Sequence, residues 1–326
     1  MNILIDLVLL AMLALTALRI IFLKDLFAVV MLFGIYSFLS ALIFVNLDAV
    51  DVAFTEAAVG AGISTVLMLG TLALTGRNEK ECARSSLLPL LVVCVTGAVL
   101  IYGTLDMPPF GHADNPVHEH VAPRYIQDSP QEVGLPNMVT SVLASYRGFD
   151  TLGETVVVFS ALIGVLALLG VRREDTSLAT ESGLKSHLVL HVVAKLIIPL
   201  IILFALYVQF HGDFGPGGGF QAGVIAAAAF ILYALVFGLP NAFAVVSPKF
   251  LQVMASLGVL LYAGVGLYSM AKGGQFLDYN KLAANPIDGQ HYGIIIIELG
   301  VGVTVFAVML SIFYAFSSQV ARLNIR

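Results

Sequence analysis

Charge is scarce in this chain: Asp, Glu, Lys and Arg make up 11% of its 326 residues, where an ordinary soluble domain carries about 25%. Together with 59% hydrophobic residues and a mean hydropathy of +0.96, that scarcity excludes a water-soluble globule. The net charge of −5 offers no basic surface for nucleic acid. Cysteine is nearly absent as well. Cys82 and Cys94 are too few for a disulfide framework, a haem-attachment pair or an iron–sulfur set. No nucleophile–base pattern stands out, so the chain is expected to have no catalytic centre, no cofactor and no metal of its own. His112, His118 and His120, with Asp114 and Glu119, match no zinc spacing and read as solvated loop residues. The N-terminus lacks the basic segment of a cleaved signal peptide, so its first apolar run is expected to stay as a helix.

What the chain does have is apolar runs of about 20 residues, the length that crosses a bilayer. They predict an all-α, polytopic transmembrane protein with nine spans, at about 3–22, 26–46, 52–75, 87–104, 149–171, 188–210, 216–238, 247–271 and 292–317. Of the sixteen Lys and Arg, Lys195 falls inside a span. Arg124, Arg147, Lys272 and Lys281 flank one side, and the other eleven flank the opposite side. By the positive-inside bias, the N-terminus is expected outside and the C-terminus in the cytoplasm. The long loop, about 105–147, then faces outside. Its Pro-rich first part reads as irregular. From Leu135 onward, Met138, Val139, Val142, Leu143 and Tyr146 recur at helical spacing and predict a short amphipathic helix on the outer surface. A polar linker, 172–186, and a second change between 77 and 86 divide the chain into membrane modules 1–84, 85–171 and 187–326.

Ionisable groups inside a bilayer are costly and are usually partnered or functional. Glu56, Glu154 and Glu298 each fall five or six residues inside a predicted span, roughly 7–10 Å below its outer boundary at 1.5 Å per residue. Lys195 lies in the sixth span, and His187, His191 and Lys195 share one helix face. The acids sit near helix N-termini, where the dipole favours a carboxylate, so they suit a packing role. They equally suit a proton or ion path through a low-dielectric interior. In that reading Glu56 and Glu154 are expected to face one hydrated region directed at partner subunits.

Between two apolar runs lies 211–223, HGDFGPGGGFQAG. So much glycine, with Pro216, cannot form one uninterrupted helix. Pro216 suits the first turn of the next helix, and Gly217, Gly218, Gly219 and Gly223 would bare one face of it to a neighbouring backbone. No strand precedes these glycines and no Gly-Lys-Ser/Thr follows, so a phosphate cradle is disfavoured against a turn and packing device.

This stretch, with His211, Pro216, Gly217, Gly218, Gly219 and Phe220, resembles the signature of MrpB, one of the small subunits of Mrp-type multisubunit cation/proton antiporters. The segment DVAFTEAAVGAGISTVLMLGTL is similar to a three-helix module near the C-terminal end of the large Mrp subunit, MrpA, also found as a small subunit of membrane-bound hydrogenases. NMVTSVLASYRGFDTLGETVVVF resembles the two-helix module that follows it. Many relatives have an acid before the Tyr-Arg-Gly where this chain has Ser145, which leaves Glu154 as the acid carried over there. The resemblance implies a fusion of the small modules with an MrpB-like part, in the cytoplasmic (inner) membrane of a prokaryote. Implied partners are the MrpA, MrpC, MrpD, MrpE, MrpF and MrpG subunits, the lipid bilayer, and Na+ and H+ as transported ions. Implied path residues are Glu56, Glu154 and Glu298, joined by Lys195 and His191 from their placement. A membrane arm of a redox-driven or other ion-motive complex and a structural membrane adaptor are the alternatives.

Overall fold

The structure is a computed structural model and describes residues 3–80, 87–170 and 188–323. Its long helices are α1 (Ile3–Phe22), α2 (Leu26–Asn46), α3 (Val50–Thr75), α4 (Leu87–Gly103), α5 (Gly148–Leu169), α6 (Leu188–His211), α7 (Gly219–Phe237), α8 (Pro248–Ala271) and α9 (Pro286–Leu323). Among the described residues there is no β-sheet. Eight of these helices are long and apolar enough to cross a membrane. The exception is α4. Its 17 residues fall short of the roughly 20 a spanning helix needs, and none of them is buried. The linker 172–186, His187 and Cys82 lie outside the described residues.

Helix ends follow local chemistry. Asp25 caps α2, accepting from the backbone of Phe27 at 3.0 Å and Ala28 at 3.4 Å. Arg77, at the far end of α3, holds that carboxylate at 2.8 Å and keeps it below the usual carboxylate range. Ser247 caps α8 through Phe250 N–H at 3.3 Å, ahead of Pro248 in the first turn.

The hub is α9. Ile294, Ile297, Val301, Val305, Val308 and Ile312 recur three or four residues apart and are all buried, which makes one continuous apolar stripe. Helices α3, α5, α7 and α8 pack around it. Two of these approaches are backbone to backbone. A Cβ on Gly223 of α7 would stand 2.6 Å from the Gly302 carbonyl oxygen, and one on Gly219 would collide with the Glu298 carbonyl. On α8, a Cβ at Gly258 would stand 2.5 Å from the Gly300 carbonyl. Lipid is as apolar as the side chains it would replace, so close van der Waals contact of this kind is what holds helices together in a membrane.

Three elements depart from the sequence expectation. First, α3 is not a uniform α-helix: Ala57–Ser64 winds as a π-helix immediately after Glu56. Second, the segment after Pro136 is helical, as Met138–Thr140 followed by a π turn, Ser141–Tyr146. It does not simply lie on a surface, because Thr140, Ser141 and Ala144 are buried in the bundle. The cause is polar: Tyr279 donates to the Ala144 carbonyl at 3.0 Å, and Ser145 and Gln290 bond at 2.7 Å. Third, the loop before it carries short helices, Pro116–Glu119, Val121–Gln127 and Ser129–Glu132, where irregular chain was expected.

Candidate ion-path site

The run 212–218 crosses from α6 to α7 as a tight loop. Gly218 has φ +113°, a conformation that side-chain-bearing residues rarely adopt, so the new helix begins only at Gly219. Pro216 is therefore three residues ahead of α7, exposed, and not in its first turn as the sequence suggested. The loop is tied down from three sides. Asn137 donates from its amide to the Gly212 and Gly215 carbonyls, both at 3.0 Å, and Thr140 donates to Gly212 at 2.6 Å. Asp51, at the start of α3, accepts from the Gly217 N–H at 3.3 Å and from Asn137 at 3.4 Å. One turn on, Thr55 accepts from Gln221 of α7 at 2.8 Å.

Glu298 of α9 closes the fourth side. Its carboxylate oxygens lie 3.2 Å from where Cβ atoms on Gly212 and Gly218 would be, so the missing side chains make its berth. It adjoins the N-terminus of α7, whose dipole favours a negative charge. Because α9 starts at Pro286, Glu298 is twelve residues into its helix (298 − 286), about 18 Å at 1.5 Å per residue. The helix starts six residues before the apolar run that begins at 292.

Beside this loop opens a cavity of about 550 Å³. Its polar lining includes Asp51, Thr55, Thr140, Glu154, Gln221 and Glu298, and its apolar walls include Leu143, Val158, Phe220 and Ile297. Glu154 and Glu298 thus share one space with Asp51. Glu56 is not part of this lining: it lies by Gly60 and Ser37, between α3 and α2. The reason is helical geometry. Asp51, Val52 and Thr55 line the cavity over an arc of about 100°, and Glu56 falls about 40° beyond it, towards α2.

Other residues singled out from sequence stand apart. Lys195 is exposed on α6. His191 packs its ring edge-on to Phe237 at 5.1 Å. His211 stacks on Tyr207 at 4.9 Å and lies against Gly215. Sequence reasoning missed Asp51, Asn137, Asp213 and His291. Asp213 sits inside the glycine motif itself, and His291 precedes Glu298 by seven residues, two helical turns on the same face. That spacing was legible. Asn137, which closes a contact between segments 75 positions apart, left no local signal. Among the described residues no group of three or more His, Cys, Asp or Glu is arranged to hold a metal ion.

Three family descriptions match the chain in succession: the MbhD subunit of MBH over residues 11–77, the MbhE subunit of MBH over 91–183, and "Domain related to MnhB subunit of Na+/H+ antiporter" over 189–311. A putative antiporter subunit mnhB2 of Staphylococcus aureus is 31% identical over 41% of this chain and 96% of its own length. A probable A/B-type subunit of a K+/H+ antiporter of Rhizobium meliloti is 26% identical over 90% of this chain and 32% of its own. The fold matches a chain of the Mrp complex from Dietzia sp. DQ12-45-1b with a TM-score of 0.73 and 24% identity, over 95% of this chain and 34% of that one. The chain spans 60%, 32% and 18% of the lengths of three curated relatives it matches.

Proposed function

Because the chain belongs to the MnhB-type family of antiporter subunits, we propose that it is a membrane subunit of a multisubunit Na+/H+ antiporter and supplies intramembrane carboxylates to its ion path. The observation that carries this reading is the cavity itself. Two carboxylates from different modules, Glu154 of α5 and Glu298 of α9, face one space with Asp51 of α3. The cavity walls between them are mostly apolar, with Leu143, Val157, Val158, Phe220 and Ile297, so a transported proton or cation is the natural counter-charge.

The fold supports a division of labour. The glycine loop is a packing device that seats Glu298, and Gly219 and Gly223 bring α7 against α9 closely enough to leave no slack. Glu56 occupies a separate position on α3 and serves a neighbouring part of the path. Na+, H+ and the companion subunits, MrpA and MrpC to MrpG, are carried over from the family.

A second reading is a membrane arm in a redox-driven complex, favoured by the likeness of residues 11–77 and 91–183 to MbhD and MbhE. Under either reading the carboxylates carry protons. The test is the assembled complex in everted membrane vesicles, with sodium-driven proton movement followed by a pH-sensitive dye. Glu154→Gln and Glu298→Gln keep shape and remove the titrating proton. Each should leave assembly intact and lower the rate by at least about tenfold, at the cautious end of what a positioned proton-transfer group supplies. Normal transport by both assembled variants would overturn the path reading.

A further inference from the structure

One ionisable pair near the cavity has no part in the site as described. Asp213, second residue of the glycine loop, is 6% exposed, although its side chain carries a carboxylate. One of its oxygens, Oδ2, meets His291 Nδ1 of α9 at 3.3 Å. The other, Oδ1, is buried and has no hydrogen-bond partner. A buried lone oxygen is costly, and a native structure that keeps one has a use for it or fills it with a mobile species. His291 is different: 41% of its side chain is exposed, so it reaches the surface at the end of the bundle where the 105–147 loop lies. Behind Asp213 stands Glu298. Its carboxylate rests against Gly212, the residue next to Asp213. His291 and Glu298 are two turns apart on one face of α9. The groups therefore stand in order: exposed imidazole, buried carboxylate, cavity carboxylate.

We propose that His291 and Asp213 form the proton port through which Glu298 exchanges protons with the aqueous phase at this end of the bundle. A proton taken from water by His291 passes from Nδ1 to Asp213, and from Asp213 to the Glu298 carboxylate; the reverse order releases it. No bond other than these N–H and O–H bonds is made or broken, and the imidazole returns to neutral each time. Among the described residues, the ionisable groups around this route are His291 and Glu298 from α9, Asp51 from α3, Glu154 from α5 across the cavity, and His211 at the end of α6, which turns to Tyr207 and Gly215. The 137–146 segment contributes neutral Asn137 and Thr140 to the loop. Burial pushes the Asp213 carboxyl up from its usual range, while His291 opposes that shift; a raised acid that still meets a base is suited to passing a proton on.

The proposal rests on Glu298 being in the ion path, so the test keeps the two apart. Asp213→Asn, Asp213→Glu, His291→Gln, the Asp213→Asn/His291→Gln pair and Glu298→Gln are compared in the full complex in everted vesicles. Assembly is checked by co-purification of the other subunits. Asp213→Asn and His291→Gln should each slow sodium-driven proton movement about tenfold with an unchanged KM for sodium, and each should alter the pH–rate profile, which a packing role would leave in place. The double variant should be no slower than the slower single one, because both act on one route. Asp213→Glu should recover most of the rate. If Asp213→Asn fails to assemble, Asp213→Glu and His291→Gln decide the matter. Wild-type rates and profile in His291→Gln and Asp213→Asn, beside a dead Glu298→Gln, would overturn the port and leave the path standing. Normal transport by Glu298→Gln would remove both.

Discussion

Replacing Gly223 with alanine adds one methyl group where two helix backbones touch. The new Cβ would stand 2.6 Å from the Gly302 carbonyl oxygen and 3.1 Å from Phe306 N. Non-bonded heavy atoms sit comfortably at roughly 3.5 Å, so α7 and α9 must separate by about 0.9 Å over that turn. Neither neighbour is a side-chain tip that can rotate away. The expected cost is that of overpacking, ~1–3 kcal/mol. Gly264 of α8 is the control, because a Cβ there meets nothing within 4 Å. Both substitutions gain the same helix propensity, up to about 1 kcal/mol, so the difference between them isolates the clash. A shift of ~2–4 °C per kcal/mol places the Gly223→Ala melting temperature about 2–12 °C below that of Gly264→Ala. The chain has no tryptophan, so the measurement is size-exclusion survival of a fluorescent-protein fusion after heating in detergent. Equal melting temperatures would mean that α7 and α9 do not meet at Gly223 and Gly302, and the seat described for Glu298 would go with them.

Two smaller perturbations test the loop and the other end of the bundle. Asn137→Ala strips the amide donors from the Gly212 and Gly215 carbonyls, at ~1–3 kcal/mol for buried groups left unpaired; amide exchange across 212–218 should accelerate while α8 stays protected, and unchanged exchange would show that the loop is held otherwise. At the α2 cap, the Arg77 guanidinium holds the Asp25 carboxyl below its usual range, so the pair supports the fold above the ordinary carboxylate pKa and is lost as pH falls through the lowered value. Asp25→Asn should therefore speed exchange at Glu79 N–H, which bonds to the Lys24 carbonyl, at pH 7, and make no difference once acid has protonated the native carboxyl.

Helix positions were readable from sequence because each apolar run is bounded by its own local punctuation. Asp25, Ser247 and the glycines at 76, 170 and 238 end or start helices through contacts within a few residues. The acids were visible for the same reason, being charges in apolar surroundings. Their grouping was not. Glu298 shares a cavity with Glu154 and Asp51 because α3, α5 and α9 converge, and nothing within one helix records its neighbours. Glu56 does not line the cavity that Glu154 shares, because Asp51, Val52 and Thr55 hold that face of α3. The start of α9 was placed at 292, yet the helix runs from Pro286. Its first turns, DGQHYG, are polar enough to be set aside when hydropathy is the guide.

The π-helical stretch of α3 changes what the span tolerates. A π turn holds one residue more than an α turn, so between Ala57 and Ser64 the helix carries a surplus residue that its flanks do not need. Losing one residue there lets the wide turn relax to α while Asp51 and Thr55 keep facing the glycine loop and 65–75 keeps facing α9. Losing one residue from 65–75 has no such outlet and swings everything beyond it through about 100°. Length variation in this span is thus absorbed at one place, just past Glu56, and nowhere else along its α-helical turns.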